Sequence, residues 1–284
     1  MTIFGPSGNS ENFFEAGLKT SEQSAVWVKN MGLDAFEYSF GRGVLMSEEK
    51  AVSIGKAFLE NNVKISVHAP YYINFANPDA EMIDKSIGYV IKSAEMVRLM
   101  QGNRIIIHPA TQGKDSREQA YARSLDNFKR LTDVIYSTDM QDLLYCPETM
   151  GKMGQIGTIE EIVGICKIDK IYVPTVDFGH VNSREQGSLN TKEDYKERLS
   201  YMIAELGYDK MKHFHIHFSK IQYGAKGEIR HLNFDDEKYG PHFELLADAL
   251  IDLNLEPVVI CESAGQQDKD ALYMKNYYFS KLNK

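Results

Sequence analysis

The chain is poor in several residue types that would narrow its class. It has three cysteines in 284 residues, Cys146, Cys166 and Cys261. An odd, widely spaced set is not a disulfide framework, and it predicts a reducing, cytoplasmic setting. Positive charge is in deficit: 32 lysines and arginines stand against 40 aspartates and glutamates, a formal net charge of -8. Bulk electrostatic attraction to nucleic acid or an anionic membrane is therefore not expected, although a local basic rim remains compatible with that balance. No apolar run approaches the roughly 20 residues that cross a bilayer. The first residues, from Met1 to Pro6, lack a basic segment followed by an apolar one, so no signal peptide is expected. Low-complexity tracts and Pro/Gly/Ser linkers are missing too, which predicts a single domain over residues 1–284 and no obligate protein partner.

What the sequence does have is alternation. Short apolar runs at residues 3–6, 35–40, 63–68, 104–108, 143–148, 172–177, 212–217 and 257–262 read as strands. Longer amphipathic stretches lie between and after them, at 20–31, 47–60, from Asn77-Pro78 onward, and at 117–136, 159–166, 192–206, 243–253 and 268–282. Ser47 is placed to cap its helix, with Glu48 and Glu49 in the first turn. Asn77 followed by Pro78 predicts a cap and first turn for the next one. Several strands are rich in valine and isoleucine, as strands buried on both faces should be. Eight strands alternating with eight helices predict an α/β fold, the (β/α)8 TIM barrel. The longest unassigned stretch, residues 218–241, is polar, and a loop of that length in a barrel points to function.

Six of the strand-like runs end, or nearly end, in a residue that binds metal well: His68, His108, Glu148, Asp177, His215 and Glu262. In this fold the C-terminal strand ends converge on the active site. A single such residue is most simply a hydrogen-bonded structural group. Six of them, three being carboxylates, would repel one another strongly without a cation. Mixed imidazole and carboxylate donors suit zinc, manganese or iron. Asp177-Phe178-Gly179-His180 adds a donor one turn on. In His213-Phe214-His215-Ile216-His217 alternation puts three histidines on one face, and pattern alone does not choose among them.

In order and spacing these residues resemble the endonuclease IV family of abasic-site DNA repair enzymes, within the xylose-isomerase-like TIM barrels. The resemblance runs from the first strand to Glu262. It rests on His68 with Ala69-Pro70-Tyr71-Tyr72-Ile73-Asn74, His108-Pro109, Glu148-Thr149, Asp177-x-x-His180, His215 with Lys220 five residues on, Arg230-His231 and Glu262. It implies three ions, usually zinc. His68, His108 and Glu148 would hold one, and Glu148 would bridge to a second held by Asp177, His215 and Glu262. The third would fall to His180 and His231 with a carboxylate from the long loop. The family pattern there is Asp-Arg-His, whereas this chain has Ile229 before Arg230, leaving Glu228 as the carboxylate within reach. The spacing to Lys220 favours His215 and leaves His213, His217 and His242 without a role. The implied reaction is hydrolysis of the DNA backbone 5′ to an abasic site in a damaged duplex. Glu148 would position the nucleophile, and Arg42, Tyr71, Tyr72, Asn74, Lys152, Arg184, Lys220 and Arg230 would contact the substrate. A sugar isomerase or epimerase of the same superfamily needs only Glu148, Asp177, His215 and Glu262, and a non-catalytic metal-binding barrel needs no substrate at all.

Overall fold

The computed structural model describes residues 1–41 and 43–282. Eight strands follow one another as β1 (Ile3–Pro6), β2 (Ala35–Ser39), β3 (Lys64–His68), β4 (Arg104–Ile107), β5 (Leu144–Pro147), β6 (Thr175–Asp177), β7 (His215–Phe218) and β8 (Val258–Cys261). Strands β2 to β5 pair in parallel in sequence order, and so do β6, β7, β8 and β1. A bridge between Ser7 and Glu37 joins these runs on one side. Bridges Tyr145–Tyr172 and Glu148–Thr175 join them on the other, which closes the barrel. The β1–β2 seam is tight: a Cβ on Gly5 would stand 1.7 Å from the Ala35 carbonyl oxygen, so only glycine fits there.

Helices cover the barrel because their apolar residues recur every three or four positions. On Ala80–Leu99 the buried stripe runs through Ile83, Ile87, Val90, Ala94 and Val97. Each isoleucine or valine of that stripe contributes about 1.5–3 kcal/mol by leaving water. Ser47 caps its helix as expected, accepting from the Lys50 N–H. The Asn77-Pro78 start is corrected. Asn77 Oδ1 accepts from the Asp79 N–H, and Asp79 in turn caps the helix, so the chain turns once more before Ala80.

Two other expectations change. Residues 212–217 were expected to be one strand, but Tyr208–Lys212 is a short helix and β7 begins at His215. The polar stretch 218–241 is not an open loop. Lys220–Gly224 and Gly227–Leu232 form an antiparallel hairpin over the C-terminal mouth of the barrel. Gly227 makes this possible: it has φ +85°, and a Cβ there would lie 2.1 Å from the Gly151 oxygen. The next residue, Glu228, donates its N–H to that same oxygen, so the hairpin is fastened to the segment after β5.

Candidate metal centre

The strand ends bring three overlapping groups of donors together at the mouth. They are His68, His108 and Glu148; Glu148, Asp177, His217 and Glu262; and Asp177, His180 and His231. Glu148 and Asp177 each belong to two groups. Glu148 is buried, and its oxygens divide between neighbours. Oε2 lies 3.3 Å from His68 Nε2 and 3.2 Å from His108 Nε2. Oε1 lies 3.1 Å from His217 Nδ1 and 3.3 Å from His180 Nδ1.

The backbone sets which ring nitrogen faces the centre. His68 Nδ1 is held by the Ala69 carbonyl and His180 Nδ1 by the Thr149 carbonyl. His231 Nδ1 is held by the Ser219 hydroxyl. Each of these three thereby turns Nε2 towards a carboxylate: His68 to Glu148, and His180 and His231 to Glu228 at 3.4 and 4.0 Å. Asp177 Oδ1 accepts from the His180 N–H, while its buried Oδ2 has no hydrogen-bond partner.

The buried carboxylates and imidazoles shift one another strongly. Burial would raise the Glu148 carboxyl, but the charge of His217 and the contacts with His108 and His180 hold it well below the usual range. Burial, with Glu262 and Glu148 nearby, raises Asp177 against the opposing pull of His180. Burial would lower His180, yet Asp177 and Glu148 lift it to about 10. An orphaned carboxylate oxygen and a set of imidazoles and carboxylates fit divalent transition ions well. The close N–O separations have the same logic. Neighbouring donors on a tetrahedral ion with bonds of about 2.0–2.1 Å stand about 3.3 Å apart.

One expected ligand moves. His215 opens β7, deep in the barrel, and its Nε2 lies 3.1 Å from Glu37, away from the mouth. His217, two residues nearer the strand end on the same face, takes the place beside Glu148, Asp177 and Glu262. The spacing to Lys220 pointed to His215, the first residue of β7, whereas His217 lies nearer the end of that strand. Glu228 borders the third group from the hairpin, and Ile229 points outward, 57% exposed.

The expected substrate contacts divide. Tyr71 stands over the rings of His68 and His108 and lines the cavity above the centre, as does Lys152. Tyr72 packs edge-on against Tyr89, outside that cavity. Arg184 donates to the carbonyls of Met150, Lys152, Met153 and Gln155, and Lys220 to those of Phe234 and Asp236. Asn74 Oδ1 accepts from the Ala76 and Thr111 N–H groups. These three side chains are braces for loops, not free contacts. Arg230 pairs with Gln222 on the outer hairpin, and Arg42 lies outside the described residues.

Glu37 was not anticipated. It is fully buried, and its place among Ala35, Phe36 and Tyr38 carried a usable signal, because a carboxylate inside an apolar strand needs a partner.

The chain matches the family described as xylose isomerase-like TIM barrel over residues 25–278, and it belongs to that family. It is 32% identical over 280 residues to an uncharacterized protein of Methanocaldococcus jannaschii, covering 98% of this chain and 97% of that one. It is 29% identical over 195 residues to a probable endonuclease 4 of Enterococcus faecalis; the match covers 66% of this chain but only 62% of the relative. Among solved structures, a D-tagatose 3-epimerase-like protein aligns with TM-score 0.72 at 16% identity, covering 99% and 98% of the two chains. Endonuclease IV of Thermus thermophilus aligns with TM-score 0.68 at 14% identity, covering 98% and 99%. Such similarities establish the barrel, and they do not separate the two chemistries. No helix among the described residues is long and apolar enough to cross a membrane.

Proposed function

We propose that this protein is a metal-dependent phosphodiesterase that cuts the DNA backbone 5′ to abasic sites, with His68, His108, Glu148, Asp177, His180, His217, His231 and Glu262 as ligands and Glu228 beside the third ion. The observation that carries this reading is the sharing of Glu148 and Asp177 among three donor groups. One ion needs only one such group, whereas several adjacent ions suit a reaction in which an attacking and a leaving oxygen both carry charge. Zinc is the metal best matched to the donors, with manganese or iron as substitutes. Ions bound there would lower the pKa of water towards neutrality and offset charge on the phosphate and leaving oxygen.

The chain's own residues do the rest. Glu148 presents one oxygen to each side of the centre and so orients a nucleophile between them. Thr149 secures both Asp177 and His180: its Oγ1 accepts from the Asp177 N–H and its carbonyl holds the His180 ring. Tyr71 walls the site beside His68 and His108, and Lys152 supplies a cation to a phosphate at the rim. The cavity of about 610 Å³ has room for one extruded sugar-phosphate unit. Extrusion costs least where no base is stacked.

A second reading, epimerisation or isomerisation of a small sugar, is favoured by one set of facts. Arg184 and Lys220 are occupied with backbone carbonyls, and the net charge is -8. A DNA enzyme draws affinity from phosphate contacts. The two readings part in one assay. A duplex carrying a single abasic analogue should be nicked at that site, and chelation should abolish the nick. Absence of a metal-dependent nick, together with turnover of a ketose, would replace this reading with the second.

A further inference from the structure

Four histidines of the centre can be compared by what stands behind the ring. His68, His180 and His231 rest Nδ1 on a carbonyl or a hydroxyl and turn Nε2 towards a carboxylate of the mouth. His217 is turned round. Its Nδ1 faces Glu148 at 3.1 Å and Glu262 at 3.5 Å, and its Nε2 lies 2.9 Å from Glu37 Oε1. Behind this one ring stands a carboxylate. Glu37 is fully buried on β2, across the barrel from β7. Its other oxygen, Oε2, accepts from the Ser66 hydroxyl at 2.8 Å and lies 3.1 Å from His215 Nε2.

We propose that Glu37 is a positioning residue for the centre: it keeps the His217 proton on Nε2 and so presents Nδ1 as the donor to an ion shared with Glu148, Asp177 and Glu262. This rests on the metal-centre reading given above. A buried carboxylate needs donors around it, and Ser66, His215 and His217 stand about Glu37 on three sides. An imidazole whose rear nitrogen faces a carboxylate has its tautomer and orientation fixed and its ligand nitrogen made more basic. Glu37, His215 and His217 are also close enough together to surround an ion themselves. The Ser66 hydroxyl, which donates to Glu37 Oε2 at 2.8 Å, argues instead for a carboxylate held by protons. The two Glu37–histidine contacts, 2.9 and 3.1 Å, are the length of a bridging proton. The contacts to Glu37 have the length of hydrogen bonds without their alignment, which a small ring rotation supplies. His215 then has a role as well. It is the second donor that holds Glu37 upright, which explains why two histidines lie on the inner face of β7.

The test uses the full chain, wild type and the variants Glu37→Gln and Glu37→Asp, each loaded with Co(II) after chelation and dialysis. The readouts are ions bound per chain, their dissociation constants, and the visible ligand-field absorption of Co(II). Glu37→Gln should weaken one class of ion by about 10–100-fold and shift its absorption, with the remaining ions unchanged. Glu37→Asp keeps the charge but is one methylene shorter, and should recover part of the affinity. Melting curves of the ion-free proteins show whether either variant has lost its fold. A folded Glu37→Gln that binds every ion with wild-type affinity and spectrum would overturn the proposal. So would the complete loss of one ion per chain with the others and their spectrum untouched, because Glu37 would then be a ligand of its own ion. Wild-type protein that binds no ion would instead remove the metal-centre reading on which this rests.

Discussion

Each oxygen of Glu148 faces a different set of histidines, so removing its charge disturbs two ion positions at once. Glu148→Gln should lower turnover by about 10²–10⁴-fold and release ions from both groups, measured by metal analysis beside single-turnover cleavage. A matched pair of variants on β7 separates its two inner histidines. His217→Ala should lose one ion outright, whereas His215→Ala should keep all ions and lose affinity at that position. His215 itself is uncharged at neutral pH and keeps a single ring proton, because burial lowers it to about 4 against the opposing effect of Glu37. His180 is the reverse case, lifted to about 10. A raised histidine stays protonated at pH 7, and a ligand must be deprotonated to bind metal. Loading the ion-free protein at pH 7 should therefore release protons, and affinity should fall as pH falls. Titration calorimetry in buffers of different ionisation enthalpy measures the number released. At this scale the sequence was informative wherever a donor closes a strand, as His68 and Asp177 do. At β7 the spacing to Lys220 and the position in the strand point to different histidines. Counting from the strand end selects His217, since His215 is the first residue of β7.

The elements explain which loops were legible. The strand and helix alternation survives in a linear reading because both periods are short, and the helices at 159–166 and 192–206 begin and end where the pattern does. The hairpin Lys220–Gly224 with Gly227–Leu232 was hidden because its hydrophobic pattern is weak; it carries Glu228 and His231 to the mouth. Its position depends on Gly227. Gly227→Ala adds a Cβ against the Gly151 oxygen in a backbone conformation that alanine resists. The variant should loosen the ion near His231 and Glu228 while the melting temperature changes little, because the barrel does not use the hairpin for closure. By contrast His242, an exposed residue at a helix start, should tolerate alanine within about 0.5 kcal/mol.

For the whole molecule, the barrel walls separate an inner polar column from the apolar layer under the helices. Along the axis lie the mouth ligands, then Glu37, Ser66 and His215. The three thiols are buried, and burial pushes Cys146 up to about 11 and the other two higher. The native protein should thus resist thiol reagents at pH 8 and react at all three cysteines only once unfolded, which a time course with and without denaturant reads directly. The overall charge was legible from composition, but its distribution was not. Arg184 and Lys220 looked like free cations in the sequence, and only the fold shows them spent on carbonyls. Three donor groups at the mouth share Glu148 and Asp177. Metal analysis of the purified, freshly loaded protein tests that most directly. The account predicts one ion for each of the three mouth groups, three per chain. A single ion per chain, or none, would contradict it.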